Sequence, residues 1–265
     1  MKTITTALVN HKGGVAKTTS VLNLAAGIAR TGRKKVCIID ADMQANTTMA
    51  AFGEEMANIP ESMLLENVLQ AVMQDRLPEV KPLVWLEGVD VLPTSLDLAA
   101  MEVIMNTAPG REFMFREIVR ALEGKYDYVF IDCPPSLGII TQNALMASDF
   151  VLIPTDGNYF AMKGIEKIHY IISLLQRKLG AEVRVLGYFM AKFNERRKLD
   201  ADIRESLEQA LGDKVFSTAI RNNVALGEAQ YKTQSIFDYA PKSAGAEDYL
   251  RLTEEFLVRV KRMSK

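Results

Sequence analysis

Thr3-Ile4-Thr5-Thr6-Ala7-Leu8-Val9-Asn10-His11-Lys12-Gly13-Gly14-Val15-Ala16-Lys17-Thr18-Thr19 begins as a β-prone run, breaks at two adjacent glycines and turns into a helix. Ile4, Ala7, Leu8 and Val9 make the strand signal, and a helical pattern runs from about Ser20 to Arg30. The residues between them suit phosphate. Gly13 and Gly14 lack Cβ, so the backbone can curl with successive N–H groups facing inward, where the positive end of the helix dipole adds to their pull. Lys17 supplies a point charge for β- and γ-phosphates, and the Thr18 hydroxyl is placed to ligate Mg²⁺. A glycine turn that binds nothing would need neither the two lysines nor the Thr18-Thr19 pair.

The general pattern G-x-x-x-x-G-K-[ST] is not met, because His11 and Ala16 stand at its glycines. What is present, Lys12-Gly13-Gly14-Val15-Ala16-Lys17-Thr18-Thr19, resembles the deviant phosphate loop of the ParA/MinD family of ATPases, usually K-G-G-V-G-K-[ST]-T. The resemblance implies that Lys12, Gly13, Gly14, Val15, Ala16, Lys17, Thr18 and Thr19 surround ATP. Ala16 departs from the family pattern and leaves two conformations open. At positive φ it would cost about 1 kcal/mol relative to Gly, and in the αR region nothing.

Composition narrows the class. A chain of 265 residues, 48% hydrophobic and 25% charged, has the make-up of an ordinary soluble globular protein. Its net charge of −1 leaves no overall footprint for nucleic acid, but the halves differ. Residues 1 to 150 hold 13 Lys+Arg against 18 Asp+Glu, and residues 151 to 265 hold 19 against 15, so a polyanion contact is expected in the second half. Cys37 and Cys133 lie in no C-x-x-C or Cys/His cluster and read as reduced residues at the ends of core strands in a cytoplasmic protein. With no basic start followed by an apolar run and no apolar stretch of about 18 residues, the chain is expected to be neither secreted nor membrane-spanning.

Beyond the first helix, Lys35 to Asp40 reads as a buried strand that delivers Asp40-Ala41-Asp42-Met43-Gln44-Ala45-Asn46-Thr47-Thr48 to its carboxyl end, where open parallel sheets bind ligands. Asp40 is open between a helix cap and a functional group. Asp42 falls in a run similar to the family's D-x-D-P-Q-x-N-x-[ST], which implies that it orients the attacking water beside the γ-phosphate. Met63 to Met73 reads as an amphipathic surface helix. Val84 to Leu86 and Val89 to Pro93 read as strands, with Trp85 a core or edge aromatic, and two helices follow at about Leu96 to Asn106 and Arg111 to Glu123. The apolar strand ending at Asp132 in Lys125-Tyr126-Asp127-Tyr128-Val129-Phe130-Ile131-Asp132-Cys133-Pro134-Pro135 has the Walker B form, and the run resembles the family's. Asp132 is therefore expected near Mg²⁺ through a water, with Asp42 a second candidate ligand.

After a helix at Leu137 to Met146 and a strand at Phe150 to Pro154, Tyr159-Phe160-Ala161-Met162-Lys163-Gly164 resembles a run in the family's switch and dimer-facing region. A strand at Val183 to Met190 leads to the basic stretch Lys192 to Leu199 and a helix from about Asp200 to Leu211. By composition Arg196, Arg197 and Lys198 are a solvated helix start. Family members that bind DNA without sequence preference carry Arg-Thr-Asn-Leu here, so the resemblance implies a DNA contact, with Arg196 in place of that arginine. In Phe216 to Ala229, similar to I-P-R-N-V-R-L-x-E-A, two family arginines are Asn222 and Ala225. Arg221 stands at the proline, and its use as a replacement contact is left open. The last helix carries Tyr249, Leu252, Phe256, Val260 and Met263 on one face. That face either packs on the sheet or, with Arg259, Lys261, Arg262 and Lys265 beside it, lies on a membrane as in MinD.

The expectation is a single α/β P-loop NTPase domain over residues 1 to 265, with a mostly parallel twisted sheet and helices on both faces. No repeat or linker divides the chain and no helix-turn-helix segment precedes the loop. The resemblance implies a cytoplasmic, nucleoid-associated ParA-type ATPase with ATP and Mg²⁺ as cofactors. Its implied partners are a second copy of itself, nonspecific double-stranded DNA and a ParB-like activator, with no membrane. It also gives Lys12 a task that Lys17 leaves free, that of reaching the ATP of a second subunit. Lys12, Lys17 and Asp42 are then the catalytic set. The rivals are a MinD-like positioning ATPase on membranes, an iron–sulfur reductase bridged by paired cysteines, and a scaffold that binds ATP without hydrolysing it.

Overall fold

The computed structural model describes residues 2–32, 34–157 and 161–264. Short apolar, β-branched runs build its seven strands: β1 (Ile4–Leu8), β2 (Val36–Asp40), β3 (Leu83–Leu86), β4 (Val89–Leu92), β5 (Tyr128–Asp132), β6 (Phe150–Thr155) and β7 (Arg184–Met190). They form one sheet in the order β3-β4-β2-β5-β1-β6-β7, and every neighbouring pair is parallel except β3 with β4. The antiparallel exception follows from its connection. Glu87-Gly88 is too short for a crossover, and Gly88 at φ 83 takes the left-handed angle of the tight turn.

Eleven helices are described: α1 (Lys17–Arg30), α2 (Asn46–Phe52), α3 (Leu65–Met73), α4 (Leu98–Met105), α5 (Met114–Leu122), α6 (Ile139–Ala147), α7 (Ala161–Leu179), α8 (Lys198–Leu211), α9 (Val224–Tyr231), α10 (Ile236–Tyr239) and α11 (Ala244–Met263). They cover both faces of the sheet, because β1, β2, β5 and β6 are buried on both sides and each side needs a cover. One core joins the sheet to α3 through α7, with Leu65, Phe115, Ile140 and Ile168 in it. The other joins it to α1 and α11, with Leu24, Ile28, Tyr249 and Phe256.

The apolar stripe of α11 is spent inside the protein. Tyr249, Leu252, Phe256 and Val260 are buried, Phe256 packs on Tyr128 and Phe130, and the Tyr249 hydroxyl shares a hydrogen bond with Ser20. Packing on the sheet is thus the use of this face, and the membrane alternative loses its apolar surface. Among the described residues no helix is long and apolar enough to cross a membrane. The helix at 63 to 73 is also more interior than its pattern implies, since Leu65, Val68 and Leu69 enter the core and Glu66 is buried against Thr94 and Ser95. Trp85 sits on edge strand β3 and donates to the Thr233 carbonyl. Tyr159 and Phe160 of the expected switch run lie outside the described residues, as does Lys265.

Candidate nucleotide site and basic segment

The strand-loop-helix at 3–19 sits mid-sheet, with β1 flanked by β5 and β6, so the loop lies at the carboxyl edge between the ends of both neighbours. Helix α1 starts at Lys17, three residues before the sequence pattern, placing Lys17, Thr18 and Thr19 in its first turn beside the unpaired N–H groups. Gly14 has φ 75, and a Cβ on Gly13 or Gly14 would project into open space. The cradle is therefore kept clear by the missing side chains. Ala16 settles the open question: at φ 64 and ψ 30 it is left-handed, and its carbonyl accepts from Ser20 to start the helix. The strain of about 1 kcal/mol is thus present in the native loop.

The two lysines occupy different places. Lys17 is 7% exposed, and its Nζ donates to the carbonyls of Asn10 and Lys12 at 3.3 and 3.2 Å. Burial pulls its pKa down, partly offset by Asp132 and Asp42, so it is a cation short of an anion. Lys12 lies at the rim with its side chain 41% exposed, and its Nζ meets Asp156 Oδ2 at 2.5 Å. Asn10 props the turn between them by accepting from the Lys12 N–H and donating to the Pro154 carbonyl.

Three carboxylates meet behind the loop. Asp132, at the end of β5, is fully buried; its Oδ2 accepts from Thr18 Oγ1 at 2.7 Å and Thr47 Oγ1 at 2.8 Å, and its Oδ1 has no hydrogen-bond partner among the described residues. Burial pushes its pKa up to about 6 against the two hydroxyls and Lys17. Asp40 is fully buried too and accepts from Thr48 N, Thr48 Oγ1 and Asp42 N, so it caps α2 from the strand end. Burial, then the charge of Asp132, pushes Asp40 up to about 8. Of its two open readings, the cap is the one built. Asp42 is 6% exposed, lines the cavity and accepts from Gln44 N through Oδ1 at 3.1 Å, which leaves Oδ2 for another partner.

A cavity of about 1250 Å³ opens from the loop, lined by Lys17, Thr18, Asp42 and Pro135 on the phosphate side and by Lys192 and Gln230 further out. The donor set fits a nucleotide with Mg²⁺: a clear glycine cradle, a dry lysine, a Thr18 hydroxyl and an orphaned Asp132 oxygen converge on one wall. Among the described residues no group of three or more His, Cys, Asp and Glu could hold a metal by itself. Cys37 and Cys133 are fully buried free thiols whose pKa values burial raises, so neither is placed to bridge a cluster between two chains.

The expected DNA residues are brought together only in part. Phe193 bridges to Arg221, setting the segment 193–198 beside 221. Arg196 and Lys198 are exposed and form no ion pair among the described residues, while Arg197 lies 3.7 Å from Asp200. Arg221, whose use as a DNA contact the sequence leaves open, is paired within the protein. Its guanidinium is turned inward onto Asp248, 1% exposed at the side chain, and onto Glu247, both at 2.7 Å, so its charge is neutralised by α11. The sequence reading missed Asp156, Thr47 and Asp200. Thr47 lies inside the Asp40–Thr48 run. Asp156 carried no local signal, since Lys12 arrives from another strand, and Asp200, whose partners Asn194 and Arg197 are local, shows its burial only against Gly157.

A family profile described as an AAA domain matches residues 1–185. The chain is 36% identical over 249 residues to the sporulation initiation inhibitor protein Soj of Bacillus subtilis, covering 94% of this chain and 96% of Soj. It is 34% identical over 251 residues to the chromosome partitioning protein ParA of Myxococcus xanthus, covering 94% and 86%. In structure it is similar to cobyrinic acid a,c-diamide synthase of Mycobacterium smegmatis, solved with an ATP analog and magnesium, with a TM-score of 0.82, 27% identity and coverage of 99% and 97%.

Proposed function

The chain belongs to the ParA/Soj family of partitioning ATPases, and on that premise we propose that it is an ATP-driven switch that moves or positions DNA or another large cargo. Its cofactors in this reading are ATP and Mg²⁺. The observation that carries it is the separation of the two lysines: Lys17 is enclosed by its own loop, and Lys12 stands at the rim.

Lys17 and the first-turn N–H groups of α1 would hold the β- and γ-phosphates, and Thr18 and Asp132 would hold the metal. Mg²⁺, when bound, draws charge from the phosphate oxygens and favours the ionised form of Asp132. Asp42, fixed by the Gln44 N–H, uses Oδ2 to orient a water for in-line attack on the γ-phosphorus. Lys12 leaves Asp156 and places its ammonium against the γ-phosphate held by a second copy, where it stabilises charge on the transferring group as an arginine finger does. Dimerisation and hydrolysis then depend on one side chain. A dimer also doubles the basic segment 196–198 that meets phosphate backbones, and an activator of the ParB kind resets the switch by stimulating hydrolysis.

The test is binding to nonspecific double-stranded DNA with ATP, with ADP and without nucleotide, over a salt series, for wild type and Arg196→Ala. ATP-dependent binding that falls steeply with salt and weakens in the variant is expected. Equal binding in all nucleotide states, or none in any, removes DNA as the track.

A further inference from the structure

Asp200 is the unusual carboxylate outside the nucleotide pocket. It lies in the first turn of α8, is 1% exposed, and its Oδ1 has no hydrogen-bond partner among the described residues. A buried carboxylate left partly unsatisfied is destabilising in itself, so its retention calls for a reason in its surroundings. Its contacts supply one. Oδ2 accepts from the Asn194 N–H at 2.9 Å, Asn194 Oδ1 in turn accepts from the Arg196 N–H at 3.0 Å, and Arg197 lies 3.7 Å from Oδ1. The same carboxylate thus organises the backbone under the exposed bases.

Its other side faces Gly157, the residue after β6 and Asp156. A Cβ placed on Gly157 would fall 2.6 Å from Asp200 Oδ1 and 2.9 Å from its Cγ, so the carboxylate sits in space that exists only because residue 157 is glycine. Gly157 follows Asp156, the residue that holds Lys12. The two arms leave adjacent strands at one level, where Thr155 of β6 is paired with Met190 of β7 and the Ala191 N–H donates to the Thr155 carbonyl. Lys12, Asp156, Gly157, Asp200, Asn194 and Arg196 are therefore joined by successive bonds and contacts, 144 residues apart in sequence at the first step.

The geometry points to Asp200 as the positioning residue that couples the state of Lys12 to the presentation of the basic segment 194–198. This rests on the switch proposed above. While Asp156 holds Lys12, the Asp156-Gly157 turn is fixed and keeps Asp200 seated under Asn194 and against Arg197. When Lys12 turns to a nucleotide on a second copy, Asp156 loses its cation and the turn is free to shift. Asp200 moves with it, and the exposed Arg197 loses its 3.7 Å contact with the carboxylate. The two-state element is an ion pair made or broken, and both sites bias it.

The experiment is amide hydrogen exchange of the segment 194–198 in the full chain, with Mg·ADP and with Mg·ATPγS, for wild type, Asp200→Ala, Asp200→Asn and Gly157→Ala. In wild type the exchange of this segment should differ between the two nucleotides by about fivefold or more. Asp200→Ala should bring that difference below about twofold while nucleotide affinity stays within about twofold. Gly157→Ala, which leaves every side chain of the basic segment intact and pushes on Asp200 from the other side, should do the same. Asp200→Asn keeps an acceptor for Asn194 and the same volume, and should restore the difference. A merely structural role would change the absolute exchange rates and leave the nucleotide dependence in place. Wild-type exchange that is equal with both nucleotides overturns the inference, as does a wild-type difference that persists in both Asp200→Ala and Gly157→Ala. DNA affinity measured on the same proteins tests the track separately, because the exchange result does not depend on DNA.

Discussion

Replacing Asp132 by Asn should change how the stability of the nucleotide-free protein depends on pH. The side chain is fully buried, and burial raises its pKa from 3.8 to about 6. In the unfolded chain the group ionises near 3.8, so between about pH 4 and 6 the native state binds more protons and stability falls as pH rises. A shift of about two units corresponds to about 3 kcal/mol, absent well below pH 4 and fully expressed above about pH 7. Asn keeps an acceptor for Thr18 and Thr47 but sets an amide nitrogen where Oδ1 now lacks a partner, which costs about 1–3 kcal/mol at every pH. The offset between wild type and Asp132→Asn thus has no fixed sign, whereas its pH dependence does. From pH 4 to pH 8 wild type should lose about 2–3 kcal/mol relative to the variant, or about 5–10 °C in relative Tm for a chain of this size. Removing the neighbouring charge also eases ionisation of Asp40, which acts in the same direction. Urea unfolding at half-unit pH steps in EDTA measures this. Mg²⁺ with a non-hydrolysable ATP analogue should flatten the wild-type slope, because the cation favours the carboxylate. Parallel pH curves for the two proteins would refute the account of Asp132 as a dry carboxylate awaiting a cation.

Lys17→Ala should abolish nucleotide binding; affinity retained in calorimetry would remove the phosphate-loop assignment. Lys12→Ala should leave monomer binding within about threefold yet prevent the ATP-dependent dimer, and a normal dimer by light scattering would sink the trans role. For Asp42→Ala a long-lived ATP dimer with turnover reduced about 100-fold or more is expected, and wild-type phosphate release would mean that another group positions the water. Arg221→Ala strips the nearly buried Asp248 of a bidentate partner and should destabilise the fold by roughly 2–3 kcal/mol. Its DNA affinity, corrected for folded fraction, should match wild type; a loss as large as that in Arg196→Ala without a change in urea midpoint would return Arg221 to the DNA surface.

Much of the fold and of the phosphate site is local, and local chemistry is legible in sequence. The glycine pair, the Lys-Thr-Thr helix start, the apolar strands and the Asp at the end of β5 are each written within a few residues, and their order dictates a parallel sheet with the loop at its carboxyl edge. The two-sided burial of β2 and β5 follows in the same way from runs that are apolar without alternation up to their terminal Asp. The backbone angle of Ala16 was not legible, because alanine is compatible with either region and the surrounding turn chooses. Nor was the fate of the charges. Lys12 and Asp156, Arg221 and Asp248, and Asp200 and Gly157 meet only because parallel strands put residues distant in the chain at one edge. A sequence states that a side chain is basic or acidic; the direction it faces, and so whether its charge is spent inside the protein or offered to a partner, is fixed by the packing of elements that the chain brings together last.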